Sequence, residues 1–238
     1  MPQQTGSARS YELLLIAVIA ARATSFIFSK MILESLAPFN LLAVRFIIAF
    51  VLLALIFNKA VRSLAARDLL AGTVIGTAFF ITMACEMIAL TQAASSLVSL
   101  LENCAIIFVP LLEILLYKKL PGKLTVISTG MAMLGVVLLA LGQGELSGGF
   151  TWGLAAGLCY AAAIIVTERL SHGSTATLGI GIVQVGTMGV LSFLAMLLTE
   201  TPQLPQSGSQ WLMLAMLIIV CTGFGFTLQP MAQSHVSA

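Results

Sequence analysis

Eight uninterrupted apolar runs of 18–23 residues constrain this chain more than any other feature. They are Leu13–Leu33, Asn40–Phe57, Leu69–Leu90, Ser95–Tyr117, Leu124–Leu141, Phe150–Glu168, Ala176–Leu198 and Trp211–Gln233. About 20 apolar residues in helix cross the hydrocarbon core of a bilayer. A backbone in lipid must satisfy its own hydrogen bonds, which leaves helices or closed barrels. Barrel strands alternate apolar and polar residues. These runs do not, so the expectation is an all-α membrane protein with eight transmembrane helices. Charge agrees: 20 formal charges in 238 residues, with a mean hydropathy of +1.07, cannot cover a water-facing surface. The composition excludes a soluble enzyme, a disordered chain and a disulfide scaffold. A net charge of +2 provides no basic patch for nucleic acid.

The connections are short and carry a charge asymmetry. Arg9, Lys59, Arg62, Arg67, Lys118, Lys119, Lys123 and Arg169 fall on one side if the helices alternate, while Glu34, Glu145 and Glu200 fall on the other. Lys and Arg stay on the cytoplasmic side. The expectation is a cytoplasmic N-terminus in the plasma membrane. Residues 1–12 read as a polar cytoplasmic tail, and the first apolar run, which carries Arg22 and Lys30, is expected to be a retained membrane helix rather than a signal peptide. Gln92-Ala-Ala94 barely separates the third and fourth runs, which predicts an antiparallel helical hairpin there. Residues 142–149 form a glycine-rich linker.

The chain repeats itself across that linker. Ala21-Arg-Ala-Thr-Ser-Phe-Ile-Phe-Ser-Lys30 aligns with Cys159-Tyr-Ala-Ala-Ala-Ile-Ile-Val-Thr-Glu168, and Leu90-Thr-Gln-Ala-Ala-Ser-Ser96 with Ala232-Gln-Ser-His-Val-Ser-Ala238. Runs six to eight therefore read as a second copy of runs one to three. Five helices per copy makes the copies run in opposite directions across the membrane, as in transporters built on inverted repeats. The domain reading is a first repeat over 13–141 and a second, incomplete repeat over 150–238, lacking its last two helices.

Several segments together resemble a tandem EamA-type permease of the drug/metabolite transporter superfamily. They are Thr24-Ser-Phe-Ile-Phe-Ser-Lys30, Ala43-Val-Arg-Phe-Ile-Ile-Ala49, Ala89-Leu-Thr-Gln-Ala-Ala-Ser-Ser96, Phe108-Val-Pro-Leu-Leu112, Leu134-Gly-Val-Val-Leu-Leu139 and Leu228-Gln-Pro-Met-Ala-Gln-Ser234. The resemblance implies ten helices, cytoplasmic termini and a central cavity between the halves. It also implies export of metabolites, amino acids or drugs, or exchange of phosphorylated compounds. The sequence departs from the family at Arg22, where many members have Trp, and at Lys118-Lys119, where many have Gly-Glu.

Six charges fall inside the runs: Arg22, Lys30, Arg45, Glu86, Glu102 and Glu113. A charge at the bilayer centre costs about 2.5–3.5 kcal/mol on insertion scales, so such residues face a cavity or a partner. Counting along the helices puts Lys30, Arg45, Glu86 and Glu102 roughly 5–10 Å below the outer surface. One reading is a polar pocket for a charged or zwitterionic solute. The other is structural ion pairs, with Lys30 snorkelling to the surface. Arg22 lies near the centre of the first helix, and Gln184 and Gln229 are polar candidates on helices seven and eight. Glu113 sits near the inner interface beside Lys118 and Lys119 and stays outside the candidate site.

Other signals are structural. Cys85, Cys104, Cys159 and Cys221 are scattered and read as small hydrophobes. His172 and His235 provide no metal site, and no cofactor is implied. Neither histidine sits where a buried general base for intramembrane proteolysis would, so the chain does not read as an enzyme. Gly72-x-x-x-Gly76 and Gly153-x-x-x-Gly157 allow close helix packing. Pro110 in helix four, with Gly223, Gly225 and Pro230 in helix eight, suggests bends. Trp152 and Trp211 suit the membrane boundary. The function expected is alternating-access transport, with a small solute and the lipid bilayer as partners. A homodimer could cover the flank left by the absent helices. The alternative is a non-transporting interaction protein or an inactive fragment.

Overall fold

The computed structural model describes residues 24–117, 122–142, 148–172 and 174–227. Among these the fold is helical and contains no strand. The elements are α1 (described over Thr24–Leu33), α2 (Pro38–Ile56), the one-turn α3 (Asn58–Arg62), α4 (Ala66–Gln92), α5 (Ser95–Glu102), α6 (Ala105–Tyr117), α7 (Lys123–Gly142), α8 (Gly148–Ser171), α9 (Thr177–Thr199) and α10 (Gly208–Met216). A π-helical segment, Leu217–Phe226, continues α10. Five spans are long and apolar enough to cross a membrane: α2, α4, α5–α6 taken as one span, α8 and α9. Shorter apolar stretches lie at Thr24–Leu33, Val126–Gly135 and Gly208–Gly223.

The helices start and stop where local chemistry dictates. Pro38 opens α2 at a position whose N–H would be unsatisfied in any case. Ser207 caps α10, accepting from the Gln210 backbone at 3.3 Å, and the Gln210 side chain returns to the Ser207 N–H at the same distance. Asp68 performs the return half of that arrangement in the first turn of α4.

Two ends of the bundle follow from contacts between loops. At one end lie Gln92 and Ala93, the start of α8, the start of α2 and Glu200. At the other lie Leu64, Asp68, Ser174 and Gly179. The most extensive interfaces join α4 to α8 and α2 to α9, followed by α4 to α9. The core between them includes Phe46, Ile75, Phe79, Met83, Leu90, Ile180 and Val185.

The fourth apolar run, expected as one helix, breaks at Asn103–Cys104 into α5 and α6. The Asn103 side chain donates to the Ser99 carbonyl at 2.7 Å and competes with the helical ladder. Pro110 follows one and a half turns later and withdraws another backbone donor. The antiparallel hairpin expected across Gln92-Ala-Ala94 is also corrected. The turn is there, with Ala93 and Ala94 extended, but α5 and α6 pack mainly on α8 rather than on α4. Glycines on α8 explain the preference. A Cβ on Gly157 would stand 2.5 Å from the Leu101 carbonyl, and one on Gly153 2.8 Å from a Leu101 methyl. With no side chain there, α8 approaches the backbone of α5. Gly76 of α4 does the same against α9, where a Cβ would fall 2.7 Å from the Gln184 carbonyl.

The remaining differences are smaller. The basic connection after α2 contains the helical turn α3. The segment holding Gly223 and Gly225 winds as π-helix, with the Thr227 hydroxyl donating to the Thr222 carbonyl five residues back at 3.4 Å, and Pro230, the third residue of the expected bend, lies outside the described residues. Long π-helices are rare, and π geometry recurs at functional sites.

Candidate functional site: buried polar groups between the helices

Arg45 is the most informative side chain. It sits on α2 between Val44 and Phe46 and is fully buried, the largest side chain to be so. Its Nε donates to the Thr222 hydroxyl at 2.7 Å, and its Nη1 donates to the Ser25 hydroxyl at 3.2 Å. The guanidinium thus ties α1 and α2 to the π-helical segment 177 residues away in sequence. A planar fork with fixed donors suits such a junction, whereas a lysine would supply only a point charge. A neighbouring contact, between the Thr24 hydroxyl and the Cys221 thiol at 3.6 Å, closes the same α1–π-segment seam.

The two carboxylates are also buried, on α4 and α5. Glu86 is 1% exposed and belongs to the stripe Phe79, Met83, Glu86, Leu90 on α4. The Phe79 ring in that stripe meets Tyr160 of α8 edge-on at 6.0 Å between centroids. Glu102 is 3% exposed and is the last residue of α5, at the break in the fourth span. Its backbone carbonyl lies beside Gly157 of α8. Glu102 therefore lies where α5 meets α8, and Glu86 lies on a buried face of α4. Gln184 on α9 is fully buried, and neither its Oε1 nor its Nε2 finds a hydrogen-bond partner among the described residues. The Ser29 and Ser192 hydroxyls are in the same position. An orphaned buried amide costs about 1–3 kcal/mol per group.

Lys30 reaches α4 one turn beyond Glu86. Its Nζ donates to the Leu90 carbonyl near the end of α4, which suits a cation at a helix C-terminus. Arg22 and Gln229 lie outside the described residues.

Sequence reasoning missed three features. Ser25 and Thr222 carried no signal, because a hydroxyl in an apolar helix usually bonds its own backbone. Glu200 read as a plain loop acid. Its carboxylate instead receives the Phe39 N–H at 2.9 Å, the Asn40 N–H at 2.8 Å and the Asn40 amide at 2.7 Å. The half-buried thiols of Cys85 on α4 and Cys159 on α8 are neighbours, although they are far apart in sequence.

With this geometry in place, comparison with known proteins becomes specific. The sequence model of the EamA-like transporter family matches residues 9–141, more than half of the chain. The chain belongs to the EamA-like transporter family. It is accordingly a helical membrane protein of a transporter family. A solved structure described only as "Crystal structure of protein" has the same fold, with a TM-score of 0.70 at 19% identity, covering 95% of this chain and 80% of the other. None of the curated proteins compared matches it. Within this EamA-like chain, the matched region holds Arg45, Glu86 and Glu102, whereas Gln184 and Thr222 lie beyond it.

Proposed function

We propose that this chain exports a small metabolite, amino acid or drug across the plasma membrane by alternating access. The solute would occupy the polar interior bounded by Arg45, Glu86, Glu102 and Gln184. The observation that carries the reading is the burial of these groups in an EamA-like bundle. Arg45 is fully buried and held by α1 and the π-helical segment, and Gln184 keeps both amide atoms unpartnered among the described residues. Arg22 and Gln229 complete the proposed pathway from the sequence side. A polar solute would supply the hydrogen bonds that Gln184 lacks, and a buried charge pays its way in a membrane protein by contacting cargo.

The packing supports an inverted repeat over 13–141 and 150–238, with eight membrane helices. In that scheme α2 and α9 are counterparts, as are α4 and α10 with its π-segment, and α1 and α8. A twofold axis in the membrane plane then packs α2 on α9 and matches the α4–α8 interface with an α1–α10 interface. The first two are the most extensive interfaces in the bundle, and the Thr24–Cys221 and Ser25–Arg45–Thr222 contacts lie on the third. Rocking of the copies about a central site is the motion such repeats permit. The basic bias of the loops supports a cytoplasmic N-terminus, and a homodimer is a further association this reading allows.

The test is flux. Proteoliposomes holding the whole chain are loaded with a panel of labelled amino acids and cationic drugs. The expected result is efflux of at least one class. Glu86→Gln and Glu102→Gln should abolish it while membrane expression persists. Normal flux in both variants would remove these carboxylates from the pathway.

A further inference from the structure

We infer that Glu200 and Asp68 are paired latches, one closing each mouth of the bundle. The inference rests on the alternating-access reading above and adds to it the parts that hold the two mouths shut.

At one end, the chain leaves α9 and places the Glu200 carboxylate on the first free N–H groups of α2. Pro38 has no N–H to give, so Phe39 and Asn40 are the donors, at 2.9 and 2.8 Å. The positive end of a helix favours an anion there. Asn40 locks the arrangement from beneath. Fully buried, it donates to Glu200 at 2.7 Å and to the Thr201 carbonyl at 3.0 Å, and accepts from the Gln203 N–H at 2.6 Å. The Gln210 amide adds a bond to the Ser35 hydroxyl in the α1–α2 connection. Every one of these bonds joins residues 35–40 to residues 200–210.

The opposite end shows the same plan with the partners exchanged. The chain leaves α2 and α3 and places Asp68 at the start of α4. Its Oδ2 accepts the Ala65 N–H at 3.2 Å, and its Oδ1 accepts the Ser174 hydroxyl at 3.2 Å. Ser174 in turn accepts the Ala176 N–H at 3.1 Å, at the start of α9. So the acid that follows α9 seats on the start of α2, and the acid that follows α2 reaches the start of α9 through one serine. An axis exchanging α2 with α9 would generate this reciprocity.

Both sets of bonds are formed together in this structure. Opening one mouth must part Glu200 from the start of α2, and opening the other must part Asp68 from Ser174, which precedes α9. The Glu200 latch makes three direct bonds across the halves, and the Asp68 latch makes one longer bond. The Asp68 end therefore opens more readily.

The test reads accessibility and needs no known solute. Reporter cysteines replace Ser192 on α9, eight residues from Glu200, and Ser171 at the end of α8, three residues from Ser174; both serines are fully buried. The full chain in proteoliposomes is treated with a membrane-impermeant maleimide from each side, and labelling is read by mass spectrometry of the reporter peptide. Glu200→Gln should raise labelling at Ser192→Cys by roughly tenfold, the equilibrium shift expected from losing a charge-assisted hydrogen bond, and lower it at Ser171→Cys. Asp68→Asn should do the reverse. The double variant should return the ratio toward the parent. Glu200→Asp, which keeps the carboxylate, should label less at Ser192→Cys than Glu200→Gln. Unchanged labelling in both single variants, or a rise at both reporters together, overturns the latches, since a simple loss of helix capping loosens the protein without sidedness. If Glu200→Gln cannot be reconstituted, Ser174→Ala decides alone: it cuts the opposite latch at its serine and must raise labelling at Ser171→Cys. Reciprocal labelling without flux of any solute would retain the latches and remove the transport reading.

Discussion

Replacing Gly157 by alanine tests the packing that separates this fold from a chain of simple hairpins. The new Cβ would sit 2.5 Å from the Leu101 carbonyl oxygen and 3.3 Å from that of Glu102. Both neighbours are backbone atoms, so no side chain can rotate aside. Ordinary contact begins near 3.4 Å, so α8 and α5 must part by roughly 1 Å. A gap of that size forfeits about a quarter to a half of each contact it opens. At about 0.1–0.2 kcal/mol per atom pair, over some tens of pairs along the seam, the loss is on the order of 1–3 kcal/mol. The matched control is Gly130→Ala on α7, where a Cβ meets nothing within 4 Å. There alanine should be neutral or gain up to about 1 kcal/mol from helix propensity. Thermal unfolding in detergent, followed by size-exclusion monodispersity, should show a drop of roughly 2–10 °C for Gly157→Ala and none for Gly130→Ala. If the two variants melt together, α8 does not rest on the backbone of α5 and the account of why α5 packs on α8 is wrong.

Other outcomes follow from single contacts. Asn40→Ala removes a buried amide that serves Glu200, Thr201 and Gln203, and should lower detergent stability by about 1–3 kcal/mol in the same melting assay. Arg45→Lys cannot reach both Thr222 and Ser25 with fixed geometry, and under the proposed function should lose most flux at normal expression, measured in the loaded proteoliposomes. A mild thiol oxidant should join Cys85 to Cys159, lowering the maleimide-reactive thiols of the unfolded chain from four to two, and Cys159→Ser should prevent it. A cysteine placed at Glu145 should label from outside intact cells and one placed at Arg62 should not; the reverse pattern would invert the proposed orientation.

Much of the fold was legible because lipid imposes a one-dimensional rule. A span must be long, apolar and helical, so α2, α4, α8 and α9 could be read from run length alone, within a few residues at their ends. What could not be read is what depends on neighbours. Asn103 looks like any polar residue in an apolar run, and only its bond to the Ser99 carbonyl makes it a break. A two-residue turn between α4 and α5 fixes chain direction but not which faces meet. The face of α5 goes to α8 because Gly153 and Gly157 present bare backbone to Leu101, and that preference depends on where α8 arrives. The π-segment was foreshadowed by Gly223 and Gly225, yet glycines announce an irregularity without saying which kind.

The candidate site divides along the same line. A buried charge is visible in sequence because apolar surroundings make it conspicuous, so Arg45, Glu86 and Glu102 stood out. Depth counting puts Lys30 in the same layer as these residues, but it registers height along a helix and not the partner the side chain meets. The side chain points to the Leu90 carbonyl, and no count along α1 could have given that. The partners are harder still. Ser25, Thr222 and Ser174 are common residues whose roles come from residues 20, 177 and 106 positions away. Glu200 shows the limit most clearly. In a loop it is one acid among the few on its side of the membrane, but beside Pro38 it meets a helix start whose first available donors are Phe39 and Asn40. The proline was legible as a helix start and the acid as a loop charge. Their meeting is a fact of the assembled bundle, and it is the kind of contact on which opening and closing of a mouth must act.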